Sequence, residues 1–481
     1  MKKKQGGQSS QQGSVDSILN LPEDVMRYIL ALMPIRDAVR TSILSKEWRY
    51  KWVTITDVVF NGKCLMAQSP SSSAASNDVV FNKDILIAQR ASSSTYEAET
   101  ACAHVVDQLV SQLIGPIFKF SCMFFSILSS HHIDRWIMFL SRNHGNEIKE
   151  FRLAIDIKVS LNNRGKMHWY NVPCSIFYYK ELRRLELLNC ILDLPPKFKG
   201  FHNLSVLYLA ACISADDIER LISECPLLEW LKFIAFEFYQ CLNIHAPNLR
   251  YLELDGEFRD ISIKSSPVLT NVSLNSDIPP SMWNAHGSPC TSIQFIGYLH
   301  GVERLALAET FLQYLCIDIV PKKLSATLDH LKYLEVDIEL NSTEILAILC
   351  ILRSSPNLEQ LKIKYCVDDE GTGEGLLEEE DDLSGEQVEL YGVKTQFDSF
   401  LCHLHAVEVE ITGLAMLLDL QFIRWILSNA PALKTIKIYT NVYVEAETVS
   451  RILKELLQSR RASPQAEIIY LGVLGHHEVS Y

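Results

Sequence analysis

Leu204-Ser205-Val206-Leu207-Tyr208-Leu209 is the stretch that decides the fold, because the chain keeps repeating its phrase Leu-x-x-Leu-x-Leu. Clear copies begin at Leu182 (with Leu185, Leu187), Leu228 (Leu231, Phe233), Leu249 (Leu252, Leu254) and Leu269 (Val272, Leu274). Others begin at Leu331 (Leu334, Val336), Leu358 (Leu361, Ile363) and Leu433 (Ile436, Ile438), with weaker ones at Ile148 (Phe151, Leu153) and Val302 (Leu305, Leu307). From Leu182 to Leu269 the intervals are 22, 24, 21 and 20 residues. The two side chains of each Leu-x-Leu step point to one face of a strand, so every copy offers one inward strand to a shared core. Three copies follow a helix that closes on a proline: Leu221 to Pro226, Ile351 to Pro356 and Ile426 to Pro431. Helix and strand alternating at this interval predict parallel strands on one side and helices on the other, stacked as a solenoid.

Ahead of the repeats, residues 20–52 follow a different logic. Asn20 is placed to cap a helix, Pro22 sits where a missing N–H costs little, and Glu23 and Asp24 suit the positive end of the helix dipole. Val25, Met26, Ile29, Leu30 and Met33 form an apolar stripe at helical spacing, and Pro34 stops that helix. A second short helix carries Ala38, Val39, Ser42 and Ile43 on one side. Ser45 is a candidate cap for a third, bearing Trp48 and Trp52 one turn apart. A unit of this size has too little core to stand alone, so its surplus apolar surface requires the rest of the chain or another protein.

The same residues resemble an F-box of the plant type. The match runs through Leu21, Pro22, Asp24, Ile29, Leu30, Pro34, Ala38, Thr41, Ser42, Leu44, Ser45, Lys46, Trp48, Arg49 and Trp52. It departs at Ala31, where the family has Ser, and at Met33, where it has Leu. The repeats are similar to leucine-rich repeats, with Cys190 and Cys212 where that consensus places Asn or Cys. Gly115-Pro116-Ile117, Phe120 and Asp134-Arg135-Trp136-Ile137 with Phe139-Leu140 resemble the joining segment of plant F-box/leucine-rich-repeat proteins. Residues 404–470 are similar to the FBD domain that ends many of them, through Val407, Val409, Ile411, Gly413, the helix Phe422 to Leu427, Asn429-Ala430, Leu433 and Arg461 to Pro464.

The resemblance implies an α+β or α/β repeat fold. A three-helix F-box (15–60) follows a disordered start (1–14), and a variable linker and helix (61–114) lead into the repeats (115–363). An acidic loop (364–395) and an FBD unit (396–481) follow. It further implies docking of a Skp-family adaptor through Leu21, Pro22, Ile29, Leu30, Pro34, Ile35, Val39, Leu44 and Trp48, and through the adaptor a cullin and a RING subunit. The repeats and FBD would then hold a protein substrate for ubiquitylation. A non-degradative repeat scaffold and a small-molecule-gated receptor are the alternatives.

Composition narrows the partners. The formal net charge of −13 over 481 residues argues against nucleic acid, whose phosphates need a basic surface. No apolar run approaches the roughly 18 residues of a membrane span. Residues 1–17 carry no apolar segment of a secretory signal, so the thirteen cysteines are expected as buried thiols in the nucleus or cytoplasm.

No catalytic constellation, cofactor motif or metal-ligand spacing stands out. His131-His132 reads as a surface pair without a carboxylate or cysteine partner, and His403 and His405 as neighbours on one face of a strand. Gly371-Thr372-Gly373-Glu374-Gly375 imitates half of a phosphate loop. It sits among the nine carboxylates of Asp368 to Asp382, which would repel phosphate, and lacks the following Lys-Ser/Thr. That acidic run is expected as a solvated loop, with docking of a basic substrate as the other reading.

Overall fold

The computed structural model describes residues 21–33, 35–46, 48–60, 95–126, 130–156, 169–236, 239–256, 258, 261–264, 266–275, 296, 299–308, 311–312, 323–324, 326–338, 342–365, 401–411, 417–440 and 446–473. Asn20, Pro34, the first 14 residues, the linker 61–94 and the acidic run with its glycines lie outside them. The chain divides into two compact units, residues 1–189 and 190–481.

Unit 1 begins with helices α1 (Glu23–Ala31) and α2 (Ile35–Arg40) and two 3₁₀ segments, Thr41–Ile43 and Trp48–Thr54. Strand β1 (Asp57–Phe60), helix α3 (Thr95–Gln112), strand β2 (Lys119–Ser126), helix α4 (Ser130–His144) and strand β3 (Glu150–Asp156) follow. Strand β4 (Tyr170–Asn171), a 3₁₀ turn at Cys174–Tyr178 and strand β5 (Arg184–Ile191) complete it. The strands lie parallel in the order β1-β2-β3-β5, with β4 beside β5.

The apolar positions at the strand starts face one another: Val58 opposite Phe120, Phe120 opposite Phe151, Phe151 opposite Leu185. Rings of Phe60, Phe120, Phe151 and Tyr179 follow one another at 6.1, 5.7 and 5.5 Å between centroids, an aromatic column through this core. Strand β1 is not announced by the repeat phrase. Only Val58 and Phe60 carry its alternation, and both are fully buried.

Unit 2 repeats one strand per phrase, as the spacing predicts. Strands β6 (Val206–Cys212), β7 (Trp230–Ala235), β9 (Tyr251–Asp255), β11 (Asn271–Asn275) and β12 (Arg304–Leu307) lie parallel in chain order. The series continues through β13 (Tyr333–Ile338), β14 (Gln360–Tyr365), β15 (Ala406–Ile411), β16 (Thr435–Thr440) and β17 (Glu467–Val473). Leu207, Leu231, Leu252, Val272, Leu305, Leu334, Leu361, Val407 and Ile436 form one inward row, each opposite the next. Burying one such side chain stabilises by about 1.5–3 kcal/mol, against about 1–2 kcal/mol of backbone entropy for every residue ordered. One repeat therefore cannot stand alone, and neighbours must stack.

Helices cross behind only some of the strands. The 24-residue interval from Leu204 to Leu228 holds α5 (Ala215–Ser223, 9 residues). The longer steps Leu331 to Leu358 and Leu404 to Leu433 hold α6 (Ser342–Ser354) and α7 (Leu417–Asn429), 13 residues each, and α8 (Ala446–Gln458) precedes β17. The intervals of 21 and 20 residues instead return through β8 (Leu242–His245) and β10 (Ile261–Lys264), which pair in parallel. An interval that short cannot hold a strand, two turns and three helical turns. Leucines alone did not reveal this exchange of helix for strand.

Two local features fix the turns. Ser214 caps α5, its Oγ accepting from the Asp217 N–H at 3.2 Å. Gly200 has φ +86°, and a Cβ there would stand 1.9 Å from the carbonyl oxygen of Glu224, so only glycine fits.

The outward residues of β13 to β16 alternate in charge from strand to strand. Glu335 lies opposite Lys362, Lys362 opposite Glu408, and Glu408 opposite Lys437; Asp337, Lys364 and Glu410 make the next row. Lys364 Nζ is 2.5 Å from Glu335 and 3.7 Å from Asp337, and Lys437 Nζ is 2.8 Å from Glu408. Burial works against charge on Lys364, but Asp337, Glu335 and Glu410 outweigh it and hold its pKa above the ordinary lysine value. A one-residue slip would turn these charges inward, so the ladder specifies register.

Candidate functional site

The N-terminal helices sort their apolar residues into two sets. Pro22 opens α1 in an extended conformation (φ −53°, ψ 147°), and its carbonyl accepts from the N–H groups of Val25 and Met26 at 3.0 and 3.1 Å. Lys51 reaches Glu23 at 3.4 Å and ties the last 3₁₀ segment to the start of α1. Ser45 caps that segment, its Oγ accepting from the Trp48 N–H at 3.3 Å. Leu30, Ile35, Ala38, Trp48, Trp52 and Val53 are buried. Val25, Tyr28, Ile29, Leu32, Ile43, Leu44 and Tyr50 are exposed, with Ile43 at 86% and Tyr28 at 67%. So many large apolar side chains bare within thirty residues exceed ordinary scatter, a pattern that commonly accompanies an interaction surface.

The nine residues named from sequence divide accordingly. Pro22, Ile29 and Leu44 are exposed, Leu21 and Val39 are half-buried, Leu30, Ile35 and Trp48 lie inside, and Pro34 falls outside the described residues. The inward three hold the helices in place and do not offer their side chains to solvent. Tyr28, Leu32, Ile43 and Tyr50 were not singled out as contact candidates, because periodicity alone does not tell which side of so short a helix faces outward.

The reading of His131-His132 as a surface pair is corrected. His131 is exposed, but His132 lies within α4 and is 2% exposed. Asp107 on α3 is its carboxylate partner, Oδ2 standing 2.7 Å from His132 Nδ1. Arg135 donates to the same oxygen at 2.7 Å, and Trp136 Nε1 donates to Oδ1 at 2.7 Å. His104 completes a group whose ligand atoms lie within 4.8 Å of one another. Both oxygens of Asp107 are already engaged, and the Arg135 guanidinium stands where a cation would, so this cluster is a clamp between α3 and α4. Burial holds the pKa of His132 below its ordinary value despite Asp107. No sequence spacing reports the contact, since it is made across 25 residues.

His403 and His405 also differ from expectation. Both precede β15, and His403 Nδ1 is 3.0 Å from the carbonyl of Pro356. The expectation of buried cysteines holds in part: Cys174 is exposed and Cys241 and Cys402 are half-buried. Cys122, Cys190, Cys212, Cys225 and Cys350 are buried, with desolvation pushing Cys225 up to about 12 and Cys350 up to about 11. Thiols held protonated in this way are poor nucleophiles. No helix among the described residues is long and apolar enough to cross a membrane.

Comparison with known proteins fits this division into an N-terminal helical segment and a repeat region. Residues 18–55 match the F-box domain, and residues 134–363 match the repeats described as "FBD-associated F-box protein At5g56370, LRR repeats". The chain is 32% identical over 470 residues to the F-box/FBD/LRR-repeat protein At1g13570 of Arabidopsis thaliana, covering 95% of this chain and 99% of that protein. It is 24% identical to the putative F-box protein At1g57690 over 73% of this chain and 85% of the relative. With the putative F-box/FBD/LRR-repeat protein At4g03220 it shares 21% identity over 82% of this chain and 83% of the relative, both proteins again from Arabidopsis thaliana. An N-terminal helical segment, in-register leucine repeats and a full-length match of this identity together establish that the chain belongs to the plant F-box/FBD/LRR-repeat proteins.

Proposed function

We propose that this protein is the substrate-recognition subunit of an SCF-type ubiquitin ligase. Its F-box docks a Skp-family adaptor, and through it cullin and RING subunits; its repeats and FBD unit hold a protein substrate. The observation that carries this reading is the bare apolar set of Val25, Tyr28, Ile29, Leu32, Ile43, Leu44 and Tyr50, backed by buried residues that already close the local core. A partner is needed to cover that set, and F-box proteins generally meet adaptors of this kind.

The mechanism is positional. Holding a substrate lysine near the charged conjugating enzyme raises its effective concentration, which accelerates transfer without covalent work by this chain. The buried thiols suit a reducing compartment, and we place the protein in the nucleus or cytoplasm.

Replacing Leu21 and Pro22 together by Ala is expected to abolish co-purification with a Skp-family adaptor while the repeats stay soluble. Undiminished co-purification would reject the assignment.

A further inference from the structure

On the outward face of unit 2, several described charges and hydroxyls of its strands pair with one another. Lys232 pairs with Glu253 at 2.7 Å, and Glu335 with Lys362 and Lys364. The hydroxyls of Tyr251 and Tyr333 donate to Glu253 and Glu335 at 2.7 and 2.8 Å.

Between these satisfied groups lie β11 and β12, where Asn271 stands directly opposite Arg304 and Ser273 opposite Ala306. Arg304 is exposed and makes no ion pair with any described residue. Its guanidinium carbon stands over the ring of Tyr333, 3.9 Å from the centroid. The other wall is Trp230 stacked on Tyr251, ring centroids 3.9 Å apart. Between them runs a shallow trough with small polar residues on its floor, an aromatic wall on one side and a pre-oriented arginine on the other.

We propose that this trough takes an acidic side chain of the substrate protein, Arg304 gripping the carboxylate through its guanidinium fork and an apolar or aromatic neighbour packing on Trp230 and Tyr251. This rests on the reading of the repeats as the substrate-holding end. A guanidinium held over a ring keeps its N–H edges for a planar bidentate partner, and Asn271 and Ser273 supply further donors beside it.

Charge favours carboxylate over phosphate. Arg304 has no ion pair among the described residues, and the carboxylates of Glu253 and Glu335 stand on either side of the trough, which suits a single negative charge better than a dianion. Two strand spacings of about 4.8 Å separate Tyr251 from Arg304, so about three residue steps of extended chain, with two residues between, part the aromatic from the acid.

The test uses the full-length protein and fluorescently labelled 14-residue Gly-Ser peptides with Phe-Gly-Ser-Glu at the centre, read by polarisation. Parallel peptides carry Gln or phosphoserine in place of the Glu. Saturable binding of the Glu peptide is expected, falling at least tenfold when Glu becomes Gln or when the protein carries Arg304→Gln. Arg304→Lys, which keeps the charge but loses the fork, should fall between. Circular dichroism checks the fold of each variant, and Arg424→Gln, an exposed arginine on α7 away from the strand face, serves as control.

Absence of saturable binding, equal affinity in Arg304→Gln, or tighter binding of the phosphoserine peptide would overturn the proposal. The peptide measurement needs no adaptor. A failure of adaptor co-purification by wild-type protein would therefore count against the ligase reading alone.

Discussion

Ile43 and Leu44 separate docking from folding, and replacing both by Asp tests the division. They are 86% and 63% exposed, so the exchange uncovers no core and should alter folding stability by no more than about 0.5 kcal/mol. If both are anchors in an adaptor interface, each truncation costs about 2 kcal/mol of binding, and the pair about a thousandfold in affinity. Trp48, buried at 3%, should behave in the opposite sense. Trp48→Ala removes a core side chain and should cost about 3–5 kcal/mol of stability, a large share of a typical domain's total. Titration calorimetry against a purified Skp-family adaptor reads the first quantity, and urea unfolding followed by circular dichroism reads the second. A folded Ile43→Asp/Leu44→Asp protein that keeps its affinity within about threefold would refute the assignment of this face.

Other perturbations test the interior. Asp107→Ala removes the carboxylate that accepts from the Trp136 indole N–H and meets His132 Nδ1, and should cost about 2–4 kcal/mol in urea unfolding. Arg135 adds little to that figure because it is more than half exposed. His132 titrates lower when folded than unfolded, so the unfolded chain binds the proton first. Its contribution to stability is therefore present above the ordinary histidine pKa of about 6.5 and is lost as pH falls below that value. Unfolding midpoints measured from pH 7.5 down to 5 should show that decline, and His132→Gln should flatten it. Gly200→Ala forces a Cβ against the Glu224 carbonyl at positive φ, and a drop of several degrees in thermal midpoint is expected.

The sequence by itself determined the repeat. Leu-x-Leu steps at intervals of 20 to 24 residues leave a parallel strand as the structure that buries both side chains, and those residues lie in register. The helices that end at Pro226, Pro356 and Pro431 were legible for the same local reason, since a proline punctuates whatever surrounds it. So was the apolar excess of residues 21–52. Only the tertiary structure decided which part of that excess is spent. Leu30 and Ile29 are neighbours on one helix, yet one is buried and the other bare, because only packing against the 48–54 segment fixes the face of α1 that turns inward. The same holds for Asp107 and His132, and for Arg304 and Tyr333, whose partners come from other elements of the fold. Local spacing encodes what a segment can become; which side chains meet across segments depends on register and packing.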